Sequence, residues 1–327
     1  MPGYDPNALQ ACIDLGSNSF HLLIGRWVDG RIQIIERCSD RVQLAAGMCG
    51  RGEISHSSFE RGLRCLERFD ALLNQYPIER YWALGTNTFR VATNAAQFIE
   101  AASDIGMHIS VITGVQEAIL IYAGVLTALP QNEARRLVID IGGGSTEVVA
   151  GQGAIRHITE SLAVGSVAWR DRFFSSITSD EQTLIHCMDE ALLAARNVFS
   201  RIAPAVKAAG WTEAYASSGT VKMLTNICEA QGYGKGEVSQ RALIELRPRF
   251  MRQVLEGVEL EGLKERRRDL LMPGWSVLLG LMQAYDIEKI KFSTTALREG
   301  MLDFMMRNDR ALDIMASAGM PTLRERE

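Results

Sequence analysis

The chain has 327 residues, of which 47% are hydrophobic and 23% charged, and its net charge is −4. These values exclude a chain that is disordered along its length, and the length favours two domains. The negative charge argues against a nucleic-acid-binding surface.

Targeting signals and paired cysteines are not apparent in the sequence. The N-terminal stretch MPGYDPNALQ lacks a basic region followed by an apolar one, and no uncharged run approaches the roughly 18 apolar residues of a membrane span. The six cysteines include no Cys-x-x-Cys pair, which argues against a zinc site or a disulfide framework. We therefore expect a cytoplasmic protein with reduced thiols and no membrane contact.

The first part of the chain alternates strand and helix patterns. ACIDLG, FHLLIGRWV and RIQIIERC predict three antiparallel strands joined by glycine-containing turns. Apolar residues at helical spacing predict a helix within Ser57 to Tyr76. The patterns that follow are a strand YWALGT, a helix over Ala95 to Ala102, a strand HISVIT and a helix from about Gln116 to Leu126. This alternation is typical of an α/β fold.

The pattern restarts after a polar linker, Ala128 to Arg136. RLVIDIGGGS, TEVVAG and AIRHITESL again predict three strands with glycine-rich turns, and helices over roughly 180–203 and 239–257 accompany the strands AYAS and IEKIKFS. The sequence therefore predicts a first domain over residues 1–128 and a second over 129–327, with a C-terminal helix that packs back on the first.

Two similar segments begin these domains, IDLGSNS (Ile13 to Ser19) and IDIGGGS (Ile139 to Ser145). In each, a strand leads to Asp, one apolar residue, Gly and small residues, so the chain is interpreted as a duplicated domain. A single Asp-x-Gly-Ser is also a common hairpin turn. Glycines allow the backbone to approach an anion closely, and three in a row are costly in entropy for a turn alone. The side-chain donors available beside them are Ser17, Asn18, Ser19, Ser145 and Thr146.

Carboxylates beside a phosphate require a cation between them, usually Mg²⁺, which makes Asp14, Asp140 and Glu147 candidate metal ligands. Glu117, at the start of a helix, is a candidate base for an attacking water, although a glutamate is also favoured there by the helix dipole. Arg90, just after a strand, suits phosphate oxygens or a surface ion pair. A kinase, an ATP-driven machine, a phosphohydrolase and a nucleotide-binding module all remain open at this point.

Six segments in order carry a resemblance to a known family: IDLGSNSFHLLI, ALGTNTFRVATN, ITGVQEAILIYAGV, LVIDIGGGSTEVV, YASSGTVKML and TALREGML. Together they resemble the exopolyphosphatase / guanosine pentaphosphate phosphohydrolase family, which belongs to the superfamily of acetate kinase, sugar kinases and actin. The resemblance covers about Ala11 to Met306 and implies two ribonuclease-H-like domains flanking a phosphate-binding cleft. It also implies Mg²⁺-dependent release of terminal orthophosphate from polyphosphate or guanosine pentaphosphate, and it suggests a homodimer.

The resemblance assigns roles to individual residues. Glu117 matches the catalytic glutamate that activates water, and Asp140 and Glu147 match acids near the metal. Asp14 is the weaker metal candidate, and its loop is expected to supply mainly the donors Ser17, Asn18 and Ser19. The positions that match phosphate-contacting residues, or in the last case line the same cleft, are Asn18, Arg90, Gly142, Gly143, Gly144, Ser145 and Ser166.

The sequence departs from the family pattern in two motifs. Gln116 and Ile119 replace a Glu and an Arg beside Glu117, and Thr294 and Thr295 replace an Asp-Gly pair near the C-terminus. The resemblance is to a short, two-domain form without the helical C-terminal extension of longer members. We expect a phosphohydrolase that acts on polyphosphate, with guanosine pentaphosphate as the alternative substrate. A sugar or acetate kinase and a non-catalytic alarmone sensor are the rival classes.

Overall fold

The computed structural model describes residues 8–29, 31–46, 48, 52–175, 180–306 and 324–325. Contacts divide the chain into two compact units. The first comprises the described residues of Met1–Leu129 and Thr295–Glu327, and the second is formed by those of Pro130–Thr294.

The first unit begins with a three-stranded antiparallel meander, as the sequence predicted. Its strands are β1 (Leu9–Leu15), β2 (Phe20–Val28), β3 (Arg31–Asp40), β4 (Ile78–Gly85) and β5 (Ile109–Val111). Its helices up to the unit boundary are α1 (His56–Leu73), α2 (Asn87–Val91), α3 (Ala95–Asp104) and α4 (Gly114–Leu126). β1 pairs in parallel with β4, and β4 with β5. The crossover connections between these parallel strands contain helices, which is the usual arrangement in an α/β fold.

The second unit repeats this arrangement. Its strands are β6 (Arg135–Ile141), β7 (Thr146–Gln152), β8 (Ile155–Leu162), β9 (Glu213–Ser217), β10 (Glu237–Ser239) and β11 (Lys289–Phe292). Its α-helices are α5 (Ser166–Phe173), α6 (Glu181–Ser200), α7 (Ala203–Ala209), α8 (Gly219–Ala230), α9 (Gln240–Glu256) and α10 (Leu271–Tyr285), and a 3₁₀ helix spans Glu265–Leu270. β6 begins at Arg135, so the last two residues of the predicted linker belong to a strand.

The last elements of the chain belong by their contacts to the first unit. α11 (Leu297–Met306) packs on α4 and β1, and β12 (Arg324–Glu325) pairs with β4. The first sheet has the order β12-β4-β1-β2-β3 with β5 also on β4, and the second has the order β10-β11-β9-β6-β7-β8. In both sheets the meander and two parallel strands therefore follow the same order.

Each unit has its own hydrophobic core. In the first, Phe20, Phe59 and Phe89 each contact Phe98 edge-on. In the second, α10 is central, because every one of its residues except Gln283 is buried. Within the part of the chain that the structure describes, no helix is both long enough and apolar enough to cross a membrane.

Candidate functional site

Two turns with the same geometry connect the first pair of strands in each unit. The first turn, residues 16–19, joins β1 to β2, and the second turn, residues 142–145, joins β6 to β7. In the first, the Gly16 amide donates to the Ser19 carbonyl over 3.2 Å; in the second, the Gly142 amide donates to the Ser145 carbonyl over 2.9 Å. The sequence repeat is thus also a repeat of local structure.

Both turns carry amide groups without a partner. Within the described residues, the backbone N–H groups of Asn18, Gly143 and Gly144 donate no hydrogen bond, and all three residues are half-buried. Consecutive amides that are left unpaired in a turn form a concave site that attracts anions, and Gly143 and Gly144 are such a pair. The second turn therefore has two neighbouring donors for a phosphate group, and the first turn has one, the Asn18 amide.

Several predicted hydroxyl donors are engaged inside the protein. Ser17 is buried, and its Oγ accepts a hydrogen bond from Thr88 Oγ1 over 2.8 Å. Ser166 is also buried; its Oγ donates to the Gly142 carbonyl over 3.3 Å and accepts from Thr220 over 3.1 Å. These two hydroxyls therefore stabilise the turns through hydrogen bonds within the protein. The other predicted hydroxyl residues differ in exposure, since Ser145 is buried whereas Ser19 is half-buried.

Asp140 and Glu147 face each other across β6 and β7. Directly opposed residues in an antiparallel pair point to the same face of the sheet. Glu147 is buried and accepts a hydrogen bond from Ser161 over 2.8 Å, while Asp140 accepts one from Ser217. Two carboxylates on one face form an all-oxygen donor set, which fits Mg²⁺ held partly by substrate phosphates.

The first unit lacks this acid pair. Asp14 occupies the same place in β1 as Asp140 does in β6, but the residue opposite it on β2 is His21. Among the described residues, no group of three or more His, Cys, Asp or Glu side chains is arranged to hold a metal.

Glu117 lies in the first turn of α4. The N-terminus of α4 is fixed by a capping box. The backbone N–H of Gln116 donates to Thr113 Oγ1 over 3.2 Å, and the backbone N–H of Thr113 donates to Gln116 Oε1 over 2.8 Å. Glutamine at this position thus preserves the reciprocal cap that a glutamate would make. Its effect is to hold the backbone from which the Glu117 side chain projects.

Glu117 and Arg90 form an ion pair, with Arg90 Nη1 2.8 Å from Glu117 Oε2. The same Nη1 donates to the Ile112 carbonyl over 3.0 Å. Glu117 is only 8% exposed, and burial raises its carboxyl pKa, whereas the charge of Arg90 and its hydrogen bond lower it; the balance lies above the ordinary value. The arginine is therefore not in a surface ion pair, and two candidate site residues of the first unit are in direct contact.

α2 joins this ion pair to the first turn. It carries Thr88, which donates to Ser17, and Arg90, which contacts Glu117. The structure therefore brings together Ser17, Arg90 and Glu117 in the first unit. In the second unit it brings together the second turn, Asp140, Glu147 and Ser166.

Comparison with known proteins identifies the family. A sequence profile described as the Ppx/GppA phosphatase family matches residues 23–309. The chain belongs to this family. It is 36% identical over 307 residues to the guanosine-5'-triphosphate,3'-diphosphate pyrophosphatase of Photobacterium profundum, and the match covers 94% of this chain and 61% of that protein. The chain thus spans about three fifths of the length of this curated relative.

Solved structures of Ppx/GppA proteins share the fold. An exopolyphosphatase from Cytophaga hutchinsonii superposes with a TM-score of 0.79 at 25% identity, covering 92% of this chain and 98% of that one. The Aquifex aeolicus Ppx/GppA family member gives 0.74 at 22% identity, with the same two coverages. The predicted fold of two ribonuclease-H-like, actin-like ATPase domains is confirmed.

The departures from the Ppx/GppA motifs have local structural correlates. Besides the Gln116 cap, Ile119 is buried on α4, where an arginine would need a polar partner. Thr294 is exposed and Thr295 half-buried, immediately on either side of the boundary between the two units.

One basic pocket of this Ppx/GppA protein was not predicted from the sequence. It lies in the second unit, and its lining residues are Lys222, Met223, Asn226, Gly262, Lys264, Arg266 and Arg267. Arg267 lies against Gly219 at the start of α8, since a Cβ atom on that glycine would be 2.1 Å from Arg267 Nη2. From the sequence alone, the basic run KERRR (Lys264 to Arg268) is interpreted as a solvated helix face or loop. The signal that could have revealed the pocket is the position of this basic run shortly before the apolar residues that form α10.

Proposed function

We propose that this protein is a phosphohydrolase that releases orthophosphate from the end of a phosphoanhydride chain, with Glu117 as the general base. The observation that carries the proposal is the buried Glu117 at the capped start of α4. Its carboxyl pKa is raised above the ordinary range by burial. A carboxylate whose pKa is closer to neutrality is a stronger base toward water.

The other predicted residues have roles consistent with this chemistry. In the first unit the Asn18 amide and the Arg90 guanidinium would bind phosphate oxygens, and in the second unit the Gly143 and Gly144 amides would do so. Such donors stabilise the negative charge that develops during phosphoryl transfer. Asp140 and Glu147 would hold a divalent cation. When bound, such an ion neutralises negative charge on the phosphates. Asp14, whose neighbour across the strands is His21, is assigned a minor role beside the donors of the first turn.

We infer guanosine pentaphosphate as the substrate. The 36% identity to a guanosine-5'-triphosphate,3'-diphosphate pyrophosphatase over 94% of this chain supports this choice. The basic pocket around Arg267 in the second unit suits a polyanion and does not by itself distinguish the two candidate substrates. Polyphosphate, the first expectation from the sequence, is the second candidate, because a structural relative at 25% identity is described as an exopolyphosphatase.

The test is orthophosphate release by the purified full chain with Mg²⁺ on three substrates: guanosine pentaphosphate, polyphosphate and ATP. Release from guanosine pentaphosphate in excess of polyphosphate supports the inferred substrate, and the reverse order supports polyphosphate. Phosphate transfer from ATP to an acceptor would favour a kinase. Binding of the alarmone without any release would favour a sensor.

The base is tested by Glu117→Gln. This change keeps the side-chain shape but removes the proton acceptor, so we expect kcat to fall by about 10²-fold or more with little change in substrate affinity. Unchanged turnover in the variant would overturn the assignment of Glu117. Dependence of the wild-type rate on Mg²⁺, and its loss in Asp140→Asn, tests the assignment of the cation.

A further inference from the structure

The guanidinium of Arg90 makes contacts at only one corner. Nη1 donates both to Ile112 O, over 3.0 Å, and to Glu117 Oε2, over 2.8 Å. Within the described residues, Nε and Nη2 of Arg90 donate no hydrogen bond. A guanidinium has five N–H groups in a rigid plane, and its Nε/Nη2 edge matches two oxygens of a phosphate. Nη1 of Arg90 is thus engaged within the protein, whereas its Nε/Nη2 edge has the geometry to bind an anion.

The Ile112 carbonyl and the Glu117 carboxylate fix the orientation of this plane. Ile112 is buried just after β5, and its amide in turn donates to the Gly85 carbonyl at the end of β4 over 3.1 Å. Arg90 is therefore anchored to the sheet at one point and to α4 at another. Its side chain is 20% exposed, so part of it remains in contact with solvent.

We infer that Arg90 is a positioning residue for the base: one guanidinium holds the Glu117 carboxylate ionised and oriented through Nη1 while it grips a substrate phosphate through Nε and Nη2. This inference rests on the proposed role of Glu117 in hydrolysis. It goes beyond a phosphate contact, because a single side chain then sets the distance between the base and the phosphate that its water attacks.

Arg90 is the charged group that acts on Glu117. α4 carries no other charged residue, and α11, which packs against it, carries Arg298, Glu299 and Asp303. Glu299 is paired with Arg37, and none of the three on α11 affects the Glu117 carboxyl. Burial raises the pKa of that carboxyl, and Arg90 is what opposes the rise. Loss of the arginine should therefore leave Glu117 protonated at a higher pH.

The first experiment measures the pH dependence of kcat/KM for phosphate release by the wild type and Arg90→Met. Because the base must be ionised, the acidic limb of the profile follows the pKa of Glu117 in the free enzyme. We expect this limb to move to higher pH by about one unit or more in Arg90→Met, since an opposite charge at this distance shifts a carboxyl by about 1–3 units. If Arg90 only contacts phosphate, KM rises and the limb stays in place.

The second experiment is a double-mutant cycle with Glu117→Gln. If Arg90 acts through Glu117, Arg90→Met lowers kcat by about tenfold or more in the wild-type background but by less than about threefold in the Glu117→Gln background. Equal losses of kcat in both backgrounds, together with an unmoved acidic limb, would overturn the inference. Failure of the proposed function is seen separately, as full turnover by the Glu117→Gln single variant.

Arg37→Met is the matched control. It removes a cation from another ion pair of the first unit, Arg37 with Glu299 at 3.3 Å, and should leave the acidic limb where it is in the wild type. Circular dichroism checks folding, and if Arg90→Met does not fold, Arg90→Gln supplies the neutral variant because its amide still donates to a carbonyl. Arg90→Lys keeps the charge, so its limb should stay close to the wild-type position while KM rises. A limb that moves as far in Arg90→Lys as in the neutral variant would also refute the inference.

Discussion

Gly165 packs so closely against the second turn that a methyl group added at Gly165 should displace the turn. A Cβ atom at this position would be 2.4 Å from the carbonyl carbon and oxygen of Gly143 and 2.5 Å from the Gly144 nitrogen. Ordinary contacts begin at 3.4 Å, so the turn must move by about 1 Å to accept an alanine. The backbone of Gly165 is extended, with φ −148° and ψ 160°, so any residue adopts it without strain. The effect of Gly165→Ala is therefore steric.

The magnitude follows from the hydrogen bonds that hold the turn against α5. The Ser166 amide donates to the Gly142 carbonyl over 2.9 Å, and the amides of Val167 and Ala168 donate to the Gly143 carbonyl over 2.8 and 3.0 Å. Each bond contributes about 0.5–1.5 kcal/mol net, so losing all three would lower the free energy of unfolding by about 1.5–4.5 kcal/mol. Misplacement of binding groups by about 1 Å lowers turnover by about 10²-fold.

Urea denaturation and orthophosphate release measure these two effects. Gly153→Ala is the control in the same unit: no atom lies within 4 Å of an added Cβ, although φ is +55°. That variant should lose about 1 kcal/mol from backbone strain and keep its activity. A Gly165→Ala variant with the stability and turnover of the wild type would show that the turn is not held as the contacts indicate.

Three further changes test other parts of the structure. Gly300→Ala puts a Cβ 1.8 Å from the Leu120 carbonyl oxygen, so α4 and α11 must separate, and urea denaturation should show a loss of about 2–3 kcal/mol; an unchanged midpoint would contradict this. Arg267→Met removes a cation from the basic pocket and should raise KM for guanosine pentaphosphate by about tenfold with a smaller change in kcat, measured by phosphate release; an unchanged KM would exclude the pocket from binding. The buried Tyr285 hydroxyl has no hydrogen-bond partner among the described residues, so Tyr285→Phe should keep or raise the free energy of unfolding, by up to about 1 kcal/mol, and a clear loss would reveal a hidden partner.

The sequence predicted the strands and turns better than the buried helices. The strands of the two meanders are continuous apolar runs or alternate apolar and polar residues, and glycine-containing turns separate them. These signals are local in the sequence, and both predicted meanders were confirmed. α10 was not predicted, because a helix buried on nearly every side has no polar face and therefore no helical period to detect. The contact of α11 with α4 depends on two distant glycines, Gly124 and Gly300, whose meeting no local pattern encodes.

The candidate site follows the same division. The two turns were predictable because all their residues are consecutive in the chain. Arg90 and Glu117 were each predicted as candidates, but the sequence left open whether Arg90 would bind phosphate or form a surface ion pair. The observed pair is buried and joins residues on α2 and α4. Such a contact depends on how two helices that are not consecutive in the chain approach each other in the fold, which single-sequence patterns do not determine.

The duplicated fold explains how one scaffold acquires two different kinds of chemistry. Both sheets place an aspartate at the same point before a glycine-first turn, so the position opposite it on the next strand decides what the pair does. In the second unit that position is Glu147, and two carboxylates on one face favour a divalent cation. In the first it is His21, which cannot add a second anionic oxygen, and the carboxylate that we propose as the base is Glu117 on α4, which is paired with Arg90. The proposed base, Glu117, is thus paired with a cation, whereas the proposed cation site consists of two carboxylates, Asp140 and Glu147. Exchanging the two roles would require changes in both pairs.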